Sequence, residues 1–138
     1  MQKSIKALTA LVAVLFCAGC SETTRESRQA ARGDPTIRQL VAETFPDAPI
    51  MLRIAQCESG MRQFGPNGLV LSGKVHPPDK GVFQINERVH GPTAHSRGVD
   101  LHMTRGNIAF ARYLYDNEKT GPWRASQGCW GKDRYASR

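Results

Sequence analysis

The sequence predicts one small α+β domain, mostly helical with a short β-hairpin, set behind an export segment. Three observations predict it. Apolar residues recur at helical spacing over Ile37, Leu40, Val41 and Phe45, and again over Met51, Ile54 and Ala55. The middle of the chain, Gly60 to Gly81, is rich in glycine and proline and carries extended pieces. A further apolar helix then begins near Thr104. A chain of 138 residues accommodates one domain of this kind.

In chain order, Lys3 and Lys6 precede eleven nearly all apolar residues, Ala7 to Cys17. Eleven residues are too few to span a bilayer, so the stretch reads as the basic and hydrophobic regions of a signal peptide. Ala18-Gly19-Cys20 resembles the bacterial lipobox, in which the cysteine is lipidated and becomes the mature N-terminus; Cys17 stands where leucine is usual. An ordinary signal peptide cut nearby is the alternative. The expected organisation is a signal peptide over 1–19, a lipid-anchored polar tether over 20–33, the folded domain over 34–131 and a polar tail over 132–138. Removal of residues 1–19 takes two lysines and no acid, so the formal charge of +7 becomes about +5. That sign favours anionic polymers or membrane surfaces. Nucleic acid fits the sign too, but export argues against it and no nucleic-acid motif is present.

Cys17 leaves with the signal peptide and Cys20 is the lipidation candidate, which leaves Cys57 and Cys129. In an oxidising compartment these two most simply pair. The bridge would close a loop of 72 residues, from 57 to 129, worth roughly 4 kcal/mol in the chain-entropy model.

The domain opens on Asp34-Pro35, a helix cap followed by proline at the first helical position, and Pro46 stops that helix. A second helix starts near Asp47-Ala48-Pro49 and runs to Gly60, with Met51, Ile54, Ala55 and Glu58 on one stripe. Leu69 to Val75 and Val82 to Asn86 are strand candidates, joined through Pro77-Pro78-Asp79-Lys80. In the second strand Val82, Gln84 and Asn86 are expected on one face, Phe83 and Ile85 on the other. A loop is expected from Arg88, and the helix from Thr104 is apolar on more than one face, which marks it as central. Gly121-Pro122 ends it, and a short tail with Trp123, Cys129 and Trp130 closes the domain.

Glu58 is the candidate for the chemistry, although a lone glutamate near a helix end reads as readily as a solvated residue. A carboxyl at the end of an apolar stripe is disfavoured in its charged form, and a raised pKa suits a general acid. Three blocks around it resemble lytic transglycosylases and related lysozymes. Cys57-Glu58-Ser59-Gly60-Met61 is similar to their Glu-Ser-x-Phe signature, with methionine for phenylalanine. Gly81-Val82-Phe83-Gln84-Ile85-Asn86 resembles their Gly-x-x-Gln-Ile-Asn block. The run from Asn107 to Leu114 resembles their Asn-Ile-x-x-Gly-x-x-Tyr-Leu helix, with Ala111 for glycine. Each block is weak alone; together, in the family's order, they are specific.

The resemblance implies a lysozyme-like domain whose glycan cleft lies between a helical part and the β-hairpin. It implies Glu58 as general acid and then base, Ser59, Gln84 and Asn86 as substrate-binding residues, and Tyr113 hydrogen-bonded near the catalytic carboxyl group. Read without it, Gln84 satisfies backbone groups and Tyr113 is a core aromatic. Asp79 reads two ways: as the second carboxylate of an animal-type lysozyme, or as a turn residue after Pro77-Pro78. The expected reaction is cleavage of the β-1,4 bond between N-acetylmuramic acid and N-acetylglucosamine in peptidoglycan, leaving 1,6-anhydromuramyl ends. The alternatives are a hydrolytic lysozyme using Glu58 with Asp79, and a non-catalytic glycan-binding lipoprotein. The expected setting is the cell envelope, at the periplasmic face of an outer membrane, as a lipid-anchored monomer. No cofactor is implied. His76, His90, His95 and His102 show no metal-binding spacing. Trp123 and Trp130 read as core aromatics near the disulfide.

Overall fold

The structure, a computed structural model, describes residues 35–132. The expected signal peptide, Cys20, the tether and the Asp34 cap lie outside the described residues, as does the tail beyond residue 132.

The described residues form a small α+β domain of five α-helices, one 3-10 segment and a two-stranded antiparallel sheet. Helix α1 spans Pro35–Thr44 and α2 spans Ile50–Ser59. Strands β1, Asp79–Lys80, and β2, Ile85–Asn86, pair with Asp79 opposite Asn86 and Lys80 opposite Ile85. Helix α3 spans Glu87–Ser96 and α4 spans Thr104–Glu118. A 3-10 segment, Gly121–Ser126, then leads into α5, Gln127–Trp130. Among the described residues no helix is long and apolar enough to cross a membrane.

The helices bury the stripes their spacing predicts. Ile37, Val41 and Phe45 face the core from α1; Met51, Ile54 and Ala55 from α2; Ile108, Phe110, Ala111 and Leu114 from α4. α1 packs on both α2 and α4, while the 3-10 segment rests on α4 and α2. Phe83 sits at the centre, its ring 5.7 Å from those of both Phe45 and Trp123. The disulfide joins Cys57 of α2 to Cys129 of α5.

Three expectations are corrected. Residues 81–84 are a turn and not part of a strand, and only Ile85–Asn86 pair as β2. Val82, Phe83 and Ile85 are consequently all buried instead of alternating. The cause is a polar hub built from two fully buried amides. Gln63 Oε1 accepts the Val82 N–H (3.1 Å) and Asn107 Oδ1 accepts the Phe83 N–H (3.0 Å), so side chains take the bonds a neighbouring strand would have taken. Gln63 Nε2 donates to Leu101 O, and Asn107 Nδ2 donates to Lys80 O and Leu101 O. Gly81 adopts φ +69°, and a Cβ there would lie 2.3 Å from Gln63 Oε1; glycine is required on both counts.

The second correction is Leu69 to Val75, which forms isolated bridges instead of a strand: Val70 with Phe64 and Ser72 with Lys80. Leu69 and Val75 are solvent-exposed, so no packed face holds the segment as a longer strand. The third is α3, where a loop was expected from Arg88. Asn86 caps it, its side chain accepting the Val89 N–H at 3.1 Å, and Glu87 sits in the favourable first turn. Ala94 is buried and anchors the helix despite Pro92 within it. The expected closing tail is likewise helical, through the 3-10 segment and α5.

Candidate active site

Glu58 lies one turn beyond Ile54 and Ala55, so the buried face of α2 carries its side chain to the domain's edge, where it is partly buried. The chain must leave the helix at once. Gly60 and Met61 both adopt left-handed φ, +66° and +60°, and their N–H groups donate to Gln56 O and Ala55 O. Ser59, buried, ties the helix end to the turn of residues 81–84, donating to Val82 O at 2.8 Å while its Oγ accepts the Arg62 N–H.

Two adjoining hollows of about 480 and 450 Å³ share four lining residues: Glu58, His76, Asp79 and Gln84. They read as one open groove passing over the carboxyl group. The first hollow is completed by Asn86, His90 of α3, Leu114 and Glu118 of α4, and Trp123 and Ser126 of the 3-10 segment. The second runs past Ser59, Arg62 and the segment from Leu71 to Val75. Its charge differs: Arg62 and Lys74 line it, whereas Glu118 lines the first.

Burial holds the Glu58 carboxyl above the ordinary glutamate range; the hydrogen bond from Ser126 pulls the other way, and the charge of Asp79 adds to the rise. Ser126 Oγ donates to Glu58 Oε1 at 2.5 Å. Asp79, at the start of β1, accepts a hydrogen bond from Asn86 Nδ2 on its cross-strand partner (2.7 Å). Gln84, at φ +47°, donates from Nε2 to Gly81 O at 2.9 Å and so braces its own turn while lining both hollows.

The expected site residues divide accordingly. Glu58, Asp79 and Gln84 meet in the groove; Asn86 lines one end of it and Ser59 the other. Tyr113 lines neither hollow. Its ring packs on Phe110, with centroids 5.3 Å apart, and beneath the Arg97 guanidinium at 4.1 Å. The α4 residues that reach the groove are Leu114 and Glu118. Tyr113 was expected to hydrogen-bond near the carboxyl group, and among the described residues the hydrogen bond to Glu58 comes from Ser126 instead. Trp123 and Trp130 are buried, as expected of core aromatics. His102 pairs with Glu87 at 2.6 Å, away from the groove. Among the described residues no three His, Cys, Asp or Glu side chains gather as a metal site needs.

Sequence reasoning missed Ser126, His76 and His90 as groove residues and Gln63 as the amide that shares the Leu101 O acceptor with Asn107. Ser126 had one usable signal, its position three residues before Cys129, whose bridge to Cys57 draws it to the neighbour of Glu58. A separate hollow of about 400 Å³ lies on another face of α2, between Leu52, Gln56 and Trp130 beside the disulfide, and holds no acid. No protein-family model, curated protein or solved structure matches the chain.

Proposed function

We propose that the domain is lysozyme-like and cleaves the glycan strands of peptidoglycan, with Glu58 as the general acid and then the base. One observation carries the reading: a partly buried carboxyl with a raised pKa stands where two hollows meet, so that a polymer lying along the groove would cross it with residues on either side. Cleaving a glycosidic bond requires an acid that still holds its proton near neutral pH, and burial supplies that. In this reading Gln84, which lines the groove, would contact the sugars beside the scissile bond, and Arg62 and Lys74 would meet carboxylates carried by the wall.

The reading favours a lytic transglycosylase. Glu58 protonates the leaving oxygen, and the resulting carboxylate takes the proton of the muramyl 6-hydroxyl, whose oxygen closes on the anomeric carbon. The second reading is a hydrolytic lysozyme, favoured by Asp79, which lines both hollows beside Glu58. The export, lipid anchoring at Cys20 and envelope location expected from residues 1–33 belong to the same proposal. Mass spectrometry of fragments released from purified wall tests it. Fragments ending in 1,6-anhydromuramic acid support the transglycosylase and reducing ends the lysozyme. No release, with glycan retained on the folded protein, supports a binding module instead.

A further inference from the structure

Ser126 stands at the junction of the 3-10 segment and α5. Its oxygen is held in place: Trp130 Nε1 donates to it at 3.0 Å and also to Trp123 O at 3.0 Å. Trp123 is in turn fixed by Nε1 donating to Phe83 O at 2.9 Å, and the Cys57–Cys129 bridge fastens the whole segment to the residue preceding Glu58. The hydroxyl has one proton and two acceptors in reach, Glu58 Oε1 at 2.5 Å and Trp123 O at 3.1 Å. Glu58 Oε2 has no hydrogen-bond partner among the described residues.

We propose that Ser126 is the positioning residue for Glu58: it holds the carboxyl by Oε1 and so leaves Oε2 as the oxygen that meets the bound ligand. When Glu58 is a carboxylate the hydroxyl donates to it, a charge-assisted contact. When Glu58 is protonated the hydroxyl can turn its proton to Trp123 O. The contact therefore stabilises the charged form more than the neutral one and limits the rise that burial imposes. The other titratable groups facing the groove are His76 before β1 and Asp79 in it, His90 of α3, Glu118 of α4, Arg62 after α2 and Lys74 in the segment from Leu71 to Val75. Of these, Asp79 adds its charge to the rise at Glu58. The inference rests on the reading of Glu58 as the acid, and it can be tested apart from it.

The experiment is a carboxyl-carbon NMR titration of the protein labelled at glutamate, with Glu58 assigned by its loss in Glu58→Gln, alongside kinetics on purified wall. In Ser126→Ala, Glu58 should titrate at higher pH than in the parent, and in Ser126→Thr, which restores the hydroxyl, near the parent. On wall, kcat should fall roughly tenfold in Ser126→Ala with KM little changed, and recover in Ser126→Thr. An unchanged Glu58 titration in Ser126→Ala overturns the proposal whatever happens to activity. A raised Glu58 titration in Ser126→Ala, with a parent that never cuts wall, supports the contact and overturns the enzymatic reading.

Discussion

Asn86 Nδ2 donates to Asp79 Oδ1 at 2.7 Å across the paired ends of β1 and β2, while the same side chain's Oδ1 caps α3. One asparagine thus orients the second acid of the groove and starts the helix that carries His90 into it.

That contact makes Asp79→Asn an informative variant, because the substituted amide can still accept from Asn86 and only the charge is lost. For a transglycosylase the variant should keep activity within about tenfold and still release 1,6-anhydro ends. For a retaining hydrolase its loss should approach that of Glu58. Products ending only in reducing sugars, with activity abolished in Asp79→Asn, would overturn the transglycosylase.

Glu58→Gln keeps the side chain's size but has no carboxyl proton to donate. Wall cleavage should fall by orders of magnitude while the circular dichroism spectrum is kept. A folded variant with near-parental turnover would remove the mechanism.

The same substitution has a signed effect on stability. The folded pKa of Glu58 lies above its ordinary value of 4.5, so the native state binds more protons and loses stability as pH rises from there through the folded pKa. Glu58→Gln has no such loss. Its Tm should exceed the parent's at neutral pH and the gap should close below about pH 4; parallel curves would contradict the raised pKa.

The disulfide should matter twice, since it closes a 72-residue separation and lies beside both Glu58 and Ser126. Replacing Cys57 and Cys129 by serine should lower stability by roughly 4 kcal/mol and depress wall cleavage beyond what the remaining folded fraction explains. Mapping thiols in the denatured, unreduced protein checks the bridge itself; two free thiols would refute it.

Gln63 and Asn107 should be costly to replace. Gln63→Leu leaves the buried Val82 N–H without its acceptor, while Leu101 O keeps the Asn107 donor, at a cost of about 1–3 kcal/mol for the unsatisfied N–H. Urea denaturation gives the value, and a loss under 0.5 kcal/mol would mean the hub does not hold the turn.

The sequence by itself determined the helices that bury a stripe, because a period of 3.6 residues is local and directly readable at Met51, Ile54 and Ala55. It also determined that Glu58 ends such a stripe, and that Cys57 and Cys129 are the domain's pair. Wherever a distant group replaces a local one, that legibility ends. Residues 82–84 looked like a strand because alternation is blind to Gln63 and Asn107, whose buried amides claim the Val82 and Phe83 N–H groups and force a turn. Tyr113 matched a motif position, yet Leu114 and Glu118 are the α4 residues that reach the groove. Ser126 is 68 residues from Glu58 and carries no periodic signal. Only the packing of the C-terminal segment, tied down by the disulfide and two indole N–H bonds, decided that a serine would stand against the acid.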